Sequence, residues 1–170
     1  DLAPYSYQNE GEILTSTLAT EEYDYKHQEW FVKPLELRGG YWSEPYYDEG
    51  GGNMLMTTYS IPVRDKKGRV AAVFTADVSL DWLTELVGSV QVYPSAFSMV
   101  VSRAGQIMVC PAETLVMRHT VYDLAASSSD SSTFNTINRS MLSGHAGNTT
   151  FKFEGKVHYM FFVVFGKRCC

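Results

Sequence analysis

The sequence predicts an α+β fold: two tandem modules, each a small antiparallel sheet flanked by helices. Three observations predict it. Two hairpins bracket a mixed helical region, and that chain order occurs twice. Two segments carry apolar residues at helical spacing. Hydrophobic residues make up 45% of the 170-residue chain, enough to bury a core.

In chain order, Pro4–Gln8 and Glu12–Thr15 read as strands joined by Asn9-Glu-Gly11. Met54–Arg64 and Arg69–Thr75 form a second hairpin around Asp65-Lys-Lys-Gly68. The Asn9-Glu-Gly11 turn, like Arg103-Ala-Gly105 later in the chain, places a Gly where positive φ is needed. Ser79 then offers an N-cap, and Leu80, Leu83, Leu86 and Val87 make one stripe of a helix over 80–90. The pattern restarts with Phe97–Ser102, Arg103-Ala-Gly105 and Gln106–Val109. A helix over 131–142 follows, with Phe134, Ile137, Met141 and Leu142 inward, and Ser127–Ser132 supplies loop and cap. Asn148–Phe153, the turn Glu154-Gly155 and Lys156–Phe165 close the chain. The apolar run Tyr159–Phe165 reads as a buried strand. The modules are expected at 1–90 and 91–170, with the helix over 80–90 as their link.

Composition excludes several function classes. A net charge of −5 leaves no basic stripe for nucleic acid. No apolar run is long enough to span a bilayer. The chain opens at Asp1 without a leader pattern, which points to part of a longer protein. Cys110, Cys169 and Cys170 have no metal-ligand spacing, and Cys110 reads as a strand residue. Asp48-Glu-Gly-Gly-Gly-Asn53 lacks the acid spacing of a calcium loop, and its glycines read instead as a mobile lid. His27, His119, His145 and His158 are scattered, so neither a metal nor a cofactor is expected. No nucleophile elbow, P-loop or dinucleotide fingerprint occurs.

The segment from Trp42 to Trp82 is denser in aromatic, hydroxyl and carboxylate groups than a structural hairpin needs. A small polar ligand requires apolar walls with a few placed polar groups. Trp30, Phe31, Trp42, Tyr46 and Tyr47 can supply walls, and Asp48 a charge. Strand alternation sends Thr57 and Tyr59 to one face and Thr58 to the other. Either Thr57 with Tyr59, or Thr58 alone, can therefore face a pocket. Asp77 ends an apolar strand, where an acid needs a partner. A cationic ligand would be one partner; a capping role for the following helix is the alternative. For Trp30 the alternative is core packing.

Several of these segments carry a family resemblance. Trp42-Ser-Glu-Pro-Tyr-Tyr-Asp48, the hairpin Thr57-Thr-Tyr-Ser-Ile-Pro-Val63 to Gly68-Arg-Val70, and Ala76-Asp-Val-Ser-Leu-Asp-Trp-Leu83 resemble a Cache domain, as does Tyr23–Phe31. These are PAS-like extracytoplasmic ligand sensors of bacterial receptors. Phe97–Ile107 with the closing hairpin is similar to the membrane-proximal half of a double Cache sensor. The resemblance is strong over Tyr23–Leu83 and moderate over Phe97–Phe165.

The resemblance implies a sensor rather than an enzyme. It implies an extracytoplasmic (periplasmic) location in an inner-membrane protein, with a kinase or a sigma-factor-regulating serine phosphatase as output. It implies membrane anchoring and a homodimer, although the long N-terminal helix that makes the family's dimer contact is missing here. In amino-acid-sensing relatives, Tyr23, Trp30, Tyr46 and Asp77 match ligand-binding positions, with the matching Asp holding the ligand's ammonium. Gln28 stands where that motif has an Arg for the ligand carboxylate. The expected partner is therefore a small molecule: a carboxylate, an amine, a sugar derivative or a purine-like compound. The first module should hold it and the second should relay position toward the membrane. A ligand-free dimerisation module and an acid/base hydrolase using Asp48 and Asp77 are the rival readings.

Overall fold

A computed structural model describes residues 2–49, 53–90, 93–153 and 156–164. The chain divides into two compact units, Asp1–Ser79 and Leu80–Cys170. The helix expected to link two modules falls inside the second unit, so this division lies at Ser79/Leu80, whereas the expected module boundary is at Val90.

The first unit opens with a hairpin of β1 (Pro4–Asn9) and β2 (Glu12–Thr17). Its two-residue loop holds Glu10 at φ 49° and Gly11 at φ 88°, the paired positive angles that match hairpin twist. A single 3-10 turn over Tyr25–His27 leads into α1 (Glu29–Leu37). Two short strands follow, β3 (Tyr41–Trp42) and β4 (Tyr46–Tyr47). The sheet is built on β5 (Leu55–Arg64) and β6 (Val70–Ser79). β6 pairs along β5 on one side, while β3 and β4 pair with successive parts of its other side, all antiparallel.

The β5–β6 turn is held by one carboxylate. Asp65 accepts hydrogen bonds from the backbone N–H of Lys67 (2.8 Å) and Arg69 (2.9 Å) and from Arg69 Nε (2.8 Å). Those donors favour the charged form and hold its carboxyl below the usual range. Gly68 takes φ 78°, which a side chain would resist.

Register fixes which side chains share a face. Thr58 lies opposite Asp77, Ser60 opposite both Thr75 and Tyr41, and Met56 opposite both Ser79 and Tyr46. Directly paired residues point the same way, so these groups form one face. Tyr59, Trp42, Ala76 and Phe74 belong to the other face, where Phe74 is exposed.

The second unit contains α2 (Leu80–Gly88), β7 (Val100–Val101), β8 (Ile107–Val109), α3 (Val121–Ser127), α4 (Ser131–Leu142), β9 (Gly147–Phe153) and β10 (Lys156–Phe162). Buried Leu80, Met108 and Val109 pack with Leu83 and Val87, the stripe the helical spacing predicts. Leu86 falls off that stripe and is exposed. A second cluster gathers Ile107, Cys110 and Val121 with Met141 and Leu142 of α4. Cys110 is a buried thiol one position past β8, not within a strand. Thr120 and Asp123 form a reciprocal capping box on α3, and Asp130 caps α4 through the Thr133 N–H.

Two expectations are corrected here. The Phe97–Ser102 strand shrinks to Val100–Val101, and Phe97 is exposed. The run from Tyr159 is not a buried strand: Tyr159 is 76% and Phe161 78% exposed. β9 and β10 pair only with each other among the described residues, and the alternate residues Val157, Tyr159 and Phe161 leave one face of the hairpin exposed. Phe165, Cys169, Cys170, the Glu154-Gly155 turn and the proposed glycine lid at 50–52 lie outside the described residues. Among the described residues no helix is long and apolar enough to cross a membrane.

Candidate functional site

Alternation on β5 decides the site. Thr58, 1% exposed, donates its hydroxyl hydrogen to Asp77 Oδ1 at 2.7 Å. Its single proton being so used, Thr58 Oγ1 accepts from the Tyr46 hydroxyl, also at 2.7 Å. The result is a relay of hydroxyls ending on one carboxylate. Tyr5 of β1 lines the same cleft, its hydroxyl close enough to Asp77 and Asp48 to feel both charges.

Aromatic walls surround these groups. The 3-10 turn and α1 bring Trp30, 8% exposed, beside Tyr23, and the indole N–H donates to the Tyr23 hydroxyl at 3.4 Å. Tyr25 stacks on Trp30, with ring centroids 6.3 Å apart, and Phe31 meets both edge-on. Asp48, 7% exposed, stands after β4, where its backbone N–H is held by Met54 O at 3.0 Å. Tyr5, Tyr23, Trp30 and Tyr46 line a cleft with Asp48, Asp77, Thr75 and Leu18. Its free volume is about 10 Å³, room for roughly one water.

The electrostatics follow from crowding. Asp77 opens onto solvent along the cleft, yet protein packs closely enough around its carboxyl to strip much of its hydration. That desolvation raises its pKa, and the nearby Asp48 charge adds to the rise; the hydroxyls of Thr58 and Tyr5 oppose it. Tyr5 is pushed up to about 12, first by burial and then by the two carboxylates. Burial and the same acids also raise Tyr46 and Tyr23, although hydrogen bonds from or to Thr58 and Trp30 pull the other way. At neutral pH these phenols are donors.

Five sequence-predicted residues meet at this cleft: Tyr23, Trp30, Tyr46, Asp48 and Asp77. The structure does not bring the others there. Trp42 and Tyr59 pack on each other on the opposite face, ring centroids 5.1 Å apart. Thr57 is buried and donates to the Ser43 carbonyl at 2.9 Å. Of the two strand alternatives, Thr58 is thus the residue beside Asp77. Gln28 occupies the N-cap of α1, where its backbone carbonyl receives the N–H of Phe31 and Val32; its side chain makes no cap bond. Phe31 supports Trp30 from behind. Asp77 turns across the sheet to Thr58, not toward the first turn of α2. Tyr5, Leu18 and Thr75 were missed. The strand pattern of β1 gives no sign that Tyr5 lies over a carboxylate more than seventy residues later.

In the second unit, Leu115, His119, Asp123 and Leu124 border an open depression. Asp123 there is engaged by Thr120, so the depression offers no uncommitted acid. Among the described residues, no group of three or more His, Cys, Asp or Glu could hold a metal ion.

Comparison with known proteins meets this geometry from outside. The methyl-accepting chemotaxis protein PscA of Pseudomonas syringae pv. tomato is 29% identical over 98 residues, which is 58% of this chain and 15% of that receptor. The extracellular domain of the putative histidine kinase mmHK1S-Z3 superposes with a TM-score of 0.70 at 22% identity, covering 93% of this chain and 55% of that one. The ligand-binding domain of the Pseudomonas aeruginosa amino-acid chemoreceptor PctB, solved with L-Gln, gives 0.58 at 20% identity, covering 92% and 58%. The chain thus spans little more than half of these solved domains and a small part of the curated receptor. Residues 1–85 match the model of the first PDC sensor domain of methyl-accepting chemotaxis protein-like receptors, and the chain belongs to that family of Cache-type α+β sensor domains.

Proposed function

We propose that this chain is the extracytoplasmic sensing region of a longer, membrane-anchored bacterial signalling protein. Its first unit holds a small molecule bearing a protonated amine in the cleft at Asp77, and its second unit passes the bound state toward the membrane. The observation that carries this reading is Asp77: a carboxylate in an aromatic-walled cleft, bonded by the Thr58 hydroxyl and, among the described residues lining that cleft, beside no Lys, Arg or His. A ligand ammonium supplies the missing charge. Relatives of this fold are ligand-binding domains of chemoreceptors, and PctB was solved with an amino acid. The output domain is that of a chemoreceptor or a kinase, and the region itself performs no chemistry. Signalling then requires a ligand with different affinity for two arrangements of the unit. A homodimer is the assembly in which it operates.

One observation favours a second reading. The cleft holds free space for about one water between its lining side chains. A ligand-free structural or dimerisation module would show such a filled cavity. Thermal-shift screening against amino acids, amines, small carboxylates, sugars and purines separates the two. A ligand at 100 times its Kd adds about 2.7 kcal/mol. A midpoint rise of a few degrees that Asp77→Asn abolishes supports sensing at this cleft. A screen without a single shift supports the ligand-free module.

A further inference from the structure

Charge accounting around the cleft narrows the ligand class. Among the described residues, the lining contributes two carboxylates, Asp48 and Asp77, and neither Lys, Arg nor His. The cations nearest in sequence have partners of their own and are not among the lining groups. Lys26 lies over the Tyr25 ring, 6.0 Å from its centroid; His27 pairs with Asp24 at 2.6 Å; Lys33 pairs with Glu36 at 2.9 Å. Gln28, a neutral amide, caps α1 and is not among the lining groups.

An amino acid brings two charges to such a site. Its ammonium meets Asp77, but its carboxylate meets a second acid, Asp48, and no Lys, Arg or His among the described lining residues. Like charges at short range in a poorly hydrated cleft repel strongly, and no bidentate partner offsets that. An amine lacking a carboxylate brings only the favourable half. The ring faces of Trp30, Tyr23 and Tyr46 also attract a cation and not an anion.

We infer that the cleft selects an organic amine without a carboxylate, its ammonium held between Asp77 and Asp48 against the Trp30, Tyr23 and Tyr46 rings. This rests on the sensing role proposed above for the same cleft, and it commits that role to one charge type. Tyr5 lines the cleft beside Asp77 and is the group an incoming ammonium would displace.

The test is calorimetric titration of the 170-residue chain with matched pairs that differ only by the carboxylate. The pairs are ethanolamine with L-serine, propylamine with 4-aminobutyrate, and 2-methylbutylamine with L-isoleucine. At least one amine should bind tenfold or more tightly than its amino acid, and Asp77→Asn and Asp48→Asn should each weaken it tenfold or more. The wild-type comparison stands even where a variant fails to fold. An amino acid that binds as tightly as its amine overturns the inference; if Asp77→Asn abolishes that binding, the sensing role survives. Failure of every pair overturns the inference. A neutral or anionic compound that binds irrespective of Asp77→Asn removes Asp77 from the sensing role as well.

Discussion

Thr58 and Asp77 are direct cross-strand partners, and the threonine hydroxyl donates to the aspartate at 2.7 Å. Because Thr58 is almost fully buried, Thr58→Val keeps the shape but leaves Asp77 short of a donor and the Tyr46 hydroxyl without its acceptor. Hydrogen bonds to charged groups contribute roughly 1.5–3 kcal/mol. The first unit should lose stability of about that size at pH 7, read by urea denaturation. A loss below about 0.5 kcal/mol means another donor or water replaces the hydroxyl.

Asp77 gives stability a pH dependence of known sign. Its folded pKa lies above the 3.8 of an unperturbed aspartate, so ionisation is harder in the folded protein than in the unfolded chain. The penalty is absent below 3.8, grows as pH rises through the folded pKa, and is full above it. Asp77→Asn should remove this component. The difference in unfolding free energy between variant and wild type should therefore shift in favour of the variant as pH rises above 3.8. A difference independent of pH from 3 to 7 contradicts the desolvation argument.

Tyr5→Phe tests exchange at the carboxylate. The variant retains the ring but removes the hydroxyl that shares the cleft with Asp77, so an incoming ammonium meets no competing donor there. Amine affinity should rise several-fold by titration, while the free protein becomes less stable by about 1 kcal/mol. Unchanged affinity would mean that the ligand reaches Asp77 without moving the tyrosine.

Gly105 probes the second unit independently of the cleft. It has φ 90°, and an added Cβ would approach Val121 Cγ2 at 3.2 Å and Leu142 Cδ1 at 3.3 Å. Gly105→Ala should cost about 2 kcal/mol through backbone strain and crowding at the Ile107 cluster. Thermal denaturation should locate this loss in the second unit, with ligand affinity at the first unchanged.

Local chemistry made much of the fold legible. The Asp65-to-Gly68 turn, the Glu10-Gly11 turn and the stripe Leu80, Leu83 and Val87 were readable because each depends on neighbours a few positions apart. Alternation also established that Thr57 and Thr58 could not share a face. It could not tell which face α1 would cover, and that decided the site against Thr57, Tyr59 and Trp42. Tyr5 was beyond reach for a different reason: its partner is set by the path of the chain between Thr17 and Tyr23, which no periodicity encodes. The Tyr159 run failed because hydrophobicity reports what a strand can bury, not whether another layer is present to cover it.

The hairpin that carries Tyr5 makes its ladder within itself. β1 and β2 bond as a sheet to each other alone among the described residues, and the Leu18 N–H closes the ladder on Ala3 O at 2.8 Å. Admission to a cleft with room for one water therefore need not melt any strand. The hairpin can turn as a rigid flap about the segment after Leu18, breaking side-chain contacts such as Tyr5 to Asp77 and leaving its own ladder intact. Occupancy is then written into the angle of one small element, and backbone amide exchange within that hairpin should stay slow even while the cleft beneath it fills and empties.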